Sequence, residues 1–260
     1  EHALAWRLSI SPSVTKVYAI PGSAAMSDCA ELVGIDWQQS DHLISFLKEN
    51  QVDLVVVGPE APLVAGLADV LNKAGIPVFG PSKAAAQLEG SKVFAKDLMK
   101  KYNIPTAAYG VFHKVDEAKA FIAQTGAPIV VKADGLAAGK GVVVAMTIDE
   151  ANVAVEDMLS GNRFGDAGST VVIEEFMEGE EASLLAFVDG KTVVPMIASQ
   201  DHKRIFDGDK GPNTGGMGTY APAPVLTDAL RDAAMKTILE PMVAAVEKEG
   251  MPYVGCLYAG

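Results

Sequence analysis

The chain has 260 residues, 49% of them hydrophobic, which is enough for two globular cores. Its formal net charge of −12 argues against a nucleic-acid-binding protein, because such proteins need a basic surface. Cys29 and Cys256 lie far apart without metal-ligand spacing, so we expect reduced thiols in a cytoplasmic protein. No apolar run is long enough to cross a membrane, and no signal peptide is visible.

The first part of the chain alternates strand and helix patterns. Strands are predicted at 16–20, 52–57 and 76–79, and helices at 42–50 and 63–74. The continuous apolar run at 52–57 is typical of a strand buried on both faces of a parallel sheet. This order of elements predicts an open parallel sheet.

Two turns follow predicted strands, at the edge of the sheet where ligands usually bind. One is Pro21-Gly22-Ser23, and the other is Gly58-Pro59-Glu60-Ala61-Pro62. The residues alone leave open whether these are binding loops or ordinary connections.

A helical pattern continues over 82–102 and is interrupted at Gly90. Ser91 is well placed to cap a helix over 92–101. Lys92 then lies in the first turn, where its charge opposes the helix dipole unless an anion is nearby. This favours a phosphate beside Lys92, with a solvent-exposed lysine as the alternative.

The segment 127–144 has the pattern of a strand, a glycine-rich turn and a second strand. Its first apolar run ends at Lys132, and Lys140 lies among the glycines that follow. Backbone N–H groups in such a turn can surround phosphates, and the two lysines could neutralise them. The spacing is neither a Walker loop nor a Rossmann fingerprint, so a nucleotide would be held between β-structures, as in ATP-grasp proteins. A tight hairpin with solvated lysines is the alternative.

Helices predicted at 116–124 and 149–159 would form a small lid with this hairpin. The glycine-rich stretch 162–169 could be a second turn of the lid or an ordinary surface loop. A strand is predicted over 170–176. Neighbouring residues on a strand point to opposite faces, so Glu174 and Glu175 cannot form an acid–base pair.

The last part of the chain begins with alternating strands at 181–188 and 192–198, joined by a hairpin signal. The charged motif 199–204 follows. The composition of 211–218 suits an anion-binding nest, with a flexible surface loop as the alternative. Thr227 is expected to cap a helix to about Glu249, which Pro241 would kink or divide, before a final strand at 253–258.

Six motifs occur in an order that closely resembles the phosphoribosylamine–glycine ligase family of ATP-grasp enzymes. They are Gly58-Pro59-Glu60-Ala61-Pro62-Leu63, Leu88-Glu89-Gly90-Ser91-Lys92, the stretch 132–141, the stretch 173–181, the stretch 199–204, and GPNTGGMG at 211–218. The resemblance covers nearly the whole chain. It implies an α/β and α+β fold, with a Rossmann-like open parallel sheet at 1–90 and an ATP-grasp domain at 91–260 that carries a lid at about 112–175.

The resemblance also implies a reaction. ATP would phosphorylate the carboxylate of glycine, and the amine of 5-phosphoribosylamine would then displace phosphate to give glycinamide ribonucleotide in purine biosynthesis. ATP and Mg²⁺ (or Mn²⁺) are the implied cofactors, and the partners are small-molecule substrates rather than nucleic acid or membrane. The chain could belong to a multifunctional purine-synthesis polypeptide.

The family's functional positions can be carried over residue by residue. The resemblance implies nucleotide binding by Lys92, Lys132, Gly139, Lys140, Glu174, Glu175, Phe176 and Glu181. Among these, the strand around Glu174 would hold the adenine edge through its backbone. Glu181 would accept from the ribose hydroxyls, with Glu180 as its rival.

Substrate binding is implied for Gly58, Pro59, Glu60, Pro62, Asn213, Thr214, Gly215 and Gly216. Catalytic roles are implied for Lys132, Asp201, Lys203 and Arg204. Asp201 could bind an amine, and Lys203 and Arg204 could hold phosphate.

The sequence departs from the family at one turn. We also expect it to lack segments that a family member has at both ends. The family usually has PGNAG where this chain has Pro21-Gly22-Ser23-Ala24-Ala25. A family member would continue before Glu1 and after Gly260, and its Glu and Asn metal ligands would lie after Gly260. No metal ligand is therefore assigned, and we expect the chain alone to be inactive or severely impaired. A truncated nucleotide-binding module and another ATP-grasp carboxylate–amine ligase remain as alternatives.

Overall fold

The computed structural model describes residues 1–135, 141–160 and 169–260. These residues form two compact units, Glu1–Ala86 and Gln87–Gly260. Each unit has its own cluster of buried hydrophobic side chains. In the described residues, no helix combines the length and apolar character needed to cross a membrane.

The first unit consists of short helices and short parallel strands. Its helices are α1 (His2–Ser9), α2 (Ser40–Glu49), α3 (Glu60–Ala65) and α4 (Leu67–Lys73), with a 3₁₀ turn at Ala24–Asp28. Its strands are β1 (Tyr18–Ala19), β2 (Glu31–Leu32), β3 (Val55–Val56) and β4 (Val78–Phe79). Strand β1 pairs in parallel with β2, and β3 pairs in parallel with β4.

The parallel pairing agrees with the prediction, but the extent of the sheet does not. In residues 1–86, all of which the structure describes, the strands form two separate two-stranded sheets instead of one open sheet. The apolar run at 52–57 contributes only Val55 and Val56 to β3, and both are half-buried. This run therefore lacks the two covering layers that its composition predicted.

The helix predicted at 63–74 begins earlier and is divided. Gly66 has φ +99°, a left-handed conformation that ends α3 before α4 begins. Because α3 starts at Glu60, the end of the motif 58–62 is helical and not a turn. Pro62 is tolerated there because an N–H in the first turn of a helix has no partner within that helix.

Helices and strands of the second unit follow the predicted order more closely. Its helices are α5 (Gln87–Gly90), α6 (Lys92–Lys101), α7 (Val115–Thr125), α8 (Ile148–Ser160), α9 (Asp228–Ala234) and α10 (Glu240–Lys248). Its strands are β5 (Tyr109–Phe112), β6 (Ile129–Ala133), β7 (Val142–Ala145), β8 (Val171–Glu175), β9 (Leu184–Asp189), β10 (Val193–Pro195), β11 (Gln200–Phe206), β12 (Lys210–Tyr220) and β13 (Val254–Ala259).

A four-stranded antiparallel sheet in the order β5-β8-β6-β7 organises the first half of this unit. One face of the sheet packs with α7 and α8. The buried side chains on that face include Ile129, Val131, Val171 and Ile173. Residues at alternate positions on β6 and β8 therefore face away from the two helices, and these include Lys132 and Glu174.

The segment 211–218 is not the nest or loop that its composition predicted. It lies within strand β12, which pairs with β11 in an antiparallel hairpin. His202 pairs with Gly218 and Arg204 with Asn213, so a bulge between these pairs takes up the extra residues of β12. The glycines accommodate this irregular pairing, which composition alone does not reveal.

The helical segment after Thr227 begins as predicted. The Thr227 Oγ1 accepts a hydrogen bond from the Leu230 N–H at 3.4 Å. A π-helix at Met235–Leu239 then separates α9 from α10. The division lies directly before the turn that contains Pro241, whose ring nitrogen cannot donate a hydrogen bond.

We predict that Gly211→Ala lowers the free energy of unfolding by about 1–2 kcal/mol, because an L residue is strained in the left-handed region. Gly211 has φ +84°, and a Cβ there would lie 2.5 Å from the Phe206 ring. Urea unfolding measures the change. Gly218→Ala is the matched control, since a Cβ at Gly218 meets nothing within 4 Å. Equal losses in the two variants would contradict the prediction.

Candidate functional site

A buried carboxylate between two lysines forms the centre of the candidate site. Glu174 is 5% exposed. Its Oε2 lies 2.9 Å from the Lys132 Nζ and 3.1 Å from the Lys96 Nζ. Burial of an ionised carboxylate is costly unless cations and hydrogen bonds compensate it, and here two ammonium groups do so.

The register of the sheet explains why Lys132 and Glu174 meet. Val130 pairs with Glu174 and Lys132 with Val172, so Lys132 and Glu174 are diagonal neighbours on one face. The opposite face is occupied by the core under α7 and α8. Glu175, at the next position of β8, is exposed, so the two adjacent glutamates lie on opposite faces as predicted.

Helix α6 carries Lys96, which pairs with Glu174, and also carries a further lysine of the site, Lys92. The N-terminus of α6 is capped twice. The Ser91 Oγ accepts from the Phe94 N–H at 3.1 Å, as predicted from the sequence. Asp134, which follows β6, accepts from the N–H groups of Lys92 at 2.6 Å and Val93 at 3.2 Å.

Asp134 supplies the negative charge that the helix dipole and Lys92 call for at the N-terminus of α6. A carboxylate at the N-terminus of a helix is stabilised by the dipole and offsets the charge of Lys92 in the first turn. The anion predicted near Lys92 is thus present within the chain. The dipole alone no longer requires a bound phosphate.

Burial is the main influence on the pKa values of Lys92 and Lys96. It lowers the pKa of Lys92, and the Lys132 charge lowers it further, while Asp134 raises it. The Lys92 Nζ donates to the Gly135 carbonyl at 2.9 Å. Burial also lowers the pKa of Lys96, against the opposing effect of Glu174.

The lysines of this cluster outnumber the carboxylates in direct contact with them. Lys92, Lys96 and Lys132 and the two carboxylates that contact them, Asp134 and Glu174, sum to a formal charge of +1. The charge of a further carboxylate, Glu89, also raises the pKa of Lys92. Such a partly buried, cationic cluster is suited to an anionic ligand.

The end of β8 is fixed to the segment before β5. The Glu175 N–H donates to the Ala108 carbonyl at 2.8 Å, and the Glu175 Oε2 accepts from the Ala108 N–H at 3.2 Å. Phe176 follows and is half-buried. Within the backbone predicted to hold an adenine edge, these two hydrogen bonds order Glu175 and engage its N–H group.

A second cluster lies at the start of β11. The Lys203 Nζ is 2.7 Å from the Glu181 Oε1 and 3.7 Å from the Asp201 Oδ2. The Ser183 Oγ donates to the Asp201 Oδ1 at 3.5 Å. Burial lowers the pKa of Lys203, but the hydrogen bond to Glu181 and the nearby negative charges outweigh it and raise the pKa overall. One lysine beside two carboxylates gives this cluster a negative balance.

Two polar side chains of the β11–β12 hairpin, Arg204 and Thr214, bind to the backbone of the hairpin itself. The Arg204 Nη1 donates to the Gly211 carbonyl at 3.3 Å. The Thr214 Oγ1 donates to the Lys203 carbonyl at 2.8 Å and accepts from the Gly216 N–H at 3.1 Å. Asn213 pairs with Arg204 in the strand register, and Gly215 lies in the bulged part of β12. The structure thus brings Arg204 together with Asn213 and brings Lys203 together with Thr214.

Four predicted substrate residues lie in the first compact unit. Gly58 precedes α3, Pro59 is its extended N-cap residue, Glu60 is its first residue, and Pro62 is buried within it. Gly139 and Lys140 lie outside the described residues, as do residues 162–168 of the second glycine-rich stretch.

Sequence reasoning missed Lys96 and Asp134. Lys96 follows Lys92 by four positions and so shares its face of α6, which is a signal that the helical period offers. In the described ranges, no group of three or more His, Cys, Asp and Glu side chains could hold a metal ion. The lysine-rich donor set of the candidate site does not fit a protein-held Mg²⁺, which prefers oxygen ligands.

Comparison with known domain families covers the chain from end to end. Residues 1–89 match the N domain of phosphoribosylglycinamide synthetase, and residues 90–260 match its ATP-grasp (A) domain. The chain belongs to the phosphoribosylglycinamide synthetase family. This confirms the resemblance drawn from the six motifs and the predicted fold class.

Individual relatives agree with the family. A phosphoribosylamine–glycine ligase of Vibrio parahaemolyticus is 54% identical over 262 residues, which cover 100% of this chain and 61% of the relative. The chain therefore spans about three fifths of the length of such relatives. The crystal structure of the Thermotoga maritima phosphoribosylamine–glycine ligase superposes with a TM-score of 0.85 at 33% identity, covering 100% of this chain and 62% of that one.

A more distant structure shares the fold alone. The biotin carboxylase domain of Hydrogenobacter thermophilus 2-oxoglutarate carboxylase, solved in complex with MgADP and bicarbonate, gives a TM-score of 0.73 at 18% identity. The match covers 99% of this chain and 58% of that one.

We predict that Asp134→Ala destabilises the second unit by about 1–2 kcal/mol, because two N–H groups of α6 lose their acceptor and Lys92 loses a neighbouring anion. Urea unfolding measures the loss. The control is Asp116→Ala, which removes an exposed first-turn carboxylate of α7 and should cost less than about 1 kcal/mol. A loss at Asp134 no greater than that at Asp116 would show that the cap adds nothing beyond the dipole.

Proposed function

We propose that this chain forms the N and ATP-grasp domains of a phosphoribosylamine–glycine ligase. The reaction would join glycine to 5-phosphoribosylamine with consumption of ATP, and would yield glycinamide ribonucleotide, ADP and phosphate. The observation that carries the proposal is the uninterrupted match of both domains of one family over residues 1–89 and 90–260. The 54% identity to a relative named for this reaction supports it.

The cationic cluster supports ATP as the nucleotide substrate. The side chain of Lys132 is 27% exposed, and Lys92 is half-buried with a pKa that burial lowers. Both lysines would neutralise the ATP phosphates, which fits the role of charge stabilisation in phosphoryl transfer. Glu174, Glu175 and Phe176 remain the proposed strand for the adenine edge, with Glu181 for the ribose.

The chemistry would proceed in two displacements. A carboxylate oxygen of glycine bonds to the γ-phosphorus while the bond to the β–γ bridging oxygen breaks, which releases ADP. The amine nitrogen of 5-phosphoribosylamine then attacks the acyl carbon of glycyl phosphate, the carbon–oxygen bond to phosphate breaks, and the nitrogen loses a proton. The chain contributes orientation and cationic charge, and no strong base is needed for the first displacement.

Magnesium that accompanies ATP would supply further neutralisation of the phosphates. The described residues offer no protein ligand set for it, so no step is assigned to a protein-bound metal.

The negative balance around Asp201 favours an amine ligand there. Lys203 is already engaged by Glu181 and Asp201, so it is less suited to a phosphate than the sequence motif predicted. We therefore favour the amine of glycine beside Asp201 and Ser183. The 5-phosphoribosylamine site at Gly58, Pro59, Glu60 and Pro62, the domain division at residue 90 and the cytoplasmic location remain predictions.

We predict glycine- and phosphoribosylamine-dependent ADP formation by a chimera of residues 1–260 and the remaining part of the Vibrio parahaemolyticus relative. ADP is measured with Mg–ATP while each substrate is omitted in turn. Lys132→Met should lower turnover about 100-fold, since one preorganised cation is lost from the transition state. Lys101→Met, which removes an exposed lysine of α6, should leave turnover unchanged.

Two results would contradict the proposal. ADP formation independent of glycine would exclude the ligase. ATP binding by the 260-residue chain, without turnover by the chimera, would favour a nucleotide-binding module.

We also predict that ATP affinity falls with rising pH earlier than an ordinary lysine would allow. Burial lowers the pKa of Lys92, so its ammonium loses its proton, and its attraction for phosphate, below the usual value of 10.5. Titration calorimetry between about pH 7 and about pH 10 measures the decline. Lys92→Arg should shift it to higher pH, because a guanidinium stays protonated there. Identical pH profiles for the two proteins would exclude Lys92 as the titrating group.

A further inference from the structure

Lys96 has no direct role in the proposed reaction, yet it is the most enclosed lysine of the cluster. Its side chain is 9% exposed. Its Nζ contacts the Glu174 Oε2 at 3.1 Å, the Thr106 Oγ1 at 2.7 Å and the Ala107 carbonyl at 3.3 Å. An ammonium has three N–H donors, so Lys96 has none left for a ligand.

Lys132 differs from Lys96 in this respect. In the described part of the chain, its ammonium has one acceptor, the same Glu174 Oε2, at 2.9 Å. Its side chain is 27% exposed, against 6% for Glu174. Two of its N–H donors can therefore be directed to a ligand.

We propose that Lys96 is a positioning residue for nucleotide binding, which shares the charge of Glu174 and so leaves the Lys132 ammonium available to ATP phosphates. The inference rests on the proposed function, because it takes ATP as the ligand of the cluster.

The charge balance around Glu174 determines how strongly Lys132 is held. Without Lys96, this buried carboxylate has Lys132 as its single cationic partner. Attraction between two charges is strong where water is largely excluded, so Lys132 would be held on Glu174. The cluster would also lose one positive charge. Both changes weaken the attraction for phosphate.

A purely structural role for Lys96 gives a different expectation. Lys96 joins α6 to the segment before β5 and to β8, and its ammonium lies 5.6 Å from the centre of the Tyr109 ring. If these contacts were its whole contribution, replacing Lys96 would lower the stability of the protein and leave the ATP affinity of the folded protein unchanged. ATP affinity and its dependence on Glu174 distinguish the two roles.

The test is a double-mutant cycle on the 260-residue chain with Lys96→Gln and Glu174→Gln. Lys96→Gln keeps a hydrogen-bond donor near Thr106 and removes the charge. Titration calorimetry with ATP gives the Kd, and thermal unfolding confirms that each variant is folded. We expect about tenfold weaker ATP binding for Lys96→Gln alone, because a buried ion-pair partner is removed. In the Glu174→Gln background, the same change should weaken ATP binding less than about threefold, because one positive charge is still lost but no carboxylate then holds Lys132.

Two further variants complete the test. Lys96→Arg keeps the charge and should bind ATP within about threefold of the wild type even if its melting temperature falls, and so remains informative if Lys96→Gln does not fold. Lys101→Gln, on the same helix, should bind as the wild type does.

An unchanged Kd for folded Lys96→Gln would overturn the inference, as would equal losses in both backgrounds or a loss in Lys96→Arg as large as in Lys96→Gln. Absence of ATP binding both by the wild-type chain and by the chimera would instead refute the nucleotide assignment in the proposed function, and this inference with it.

Discussion

The candidate site depends on the buried carboxylate of Glu174, whose removal from water costs free energy. A carboxylate at 5% exposure requires cations at hydrogen-bonding distance, and Lys132 and Lys96 provide them from two different elements. Strand β6 and helix α6 are thereby fixed relative to β8. The same arrangement concentrates lysine side chains in one place, which a purely structural ion pair would not need.

The antiparallel sheet makes this arrangement possible by separating two tasks on its two faces. Ile129, Val131 and Ile173 fill the core under α7 and α8. The alternate positions carry Lys132 and Glu174 next to the buried Val130 and Val172. A slip of one residue between β6 and β8 would turn Glu174 into the apolar core and a hydrophobic side chain toward the lysines. The burial of the hydrophobic face therefore also determines the geometry of the charged face.

Local signals made several features predictable. The caps at Ser91 and Thr227, the helices α7 and α8, and the opposite faces of Glu174 and Glu175 follow from rules that act within a few residues. The partnership of Lys96 with Glu174 and that of Asp134 with the start of α6 join residues far apart in the sequence, so only the folded chain reveals them.

The sequence did not predict the hairpin β11–β12, for a different reason. Its glycines suggest a loop by composition, whereas pairing with β11 determines a strand. In the first unit, the apolar run at 52–57 predicted a longer strand than β3, because composition indicates hydrophobic surroundings but not which neighbours pair.

The capping of α6 by Asp134 has a mechanical consequence. Asp134 holds the first N–H groups of the helix, and Lys96 holds Glu174 one turn further along, so α6 is fastened to the sheet at two points. Two attachments restrict pivoting of the helix about either one. If this sheet moves, these contacts would draw α6 along with it. The distances from Lys92 and Lys96 on the helix to Lys132 on the strand would then change little during such a movement.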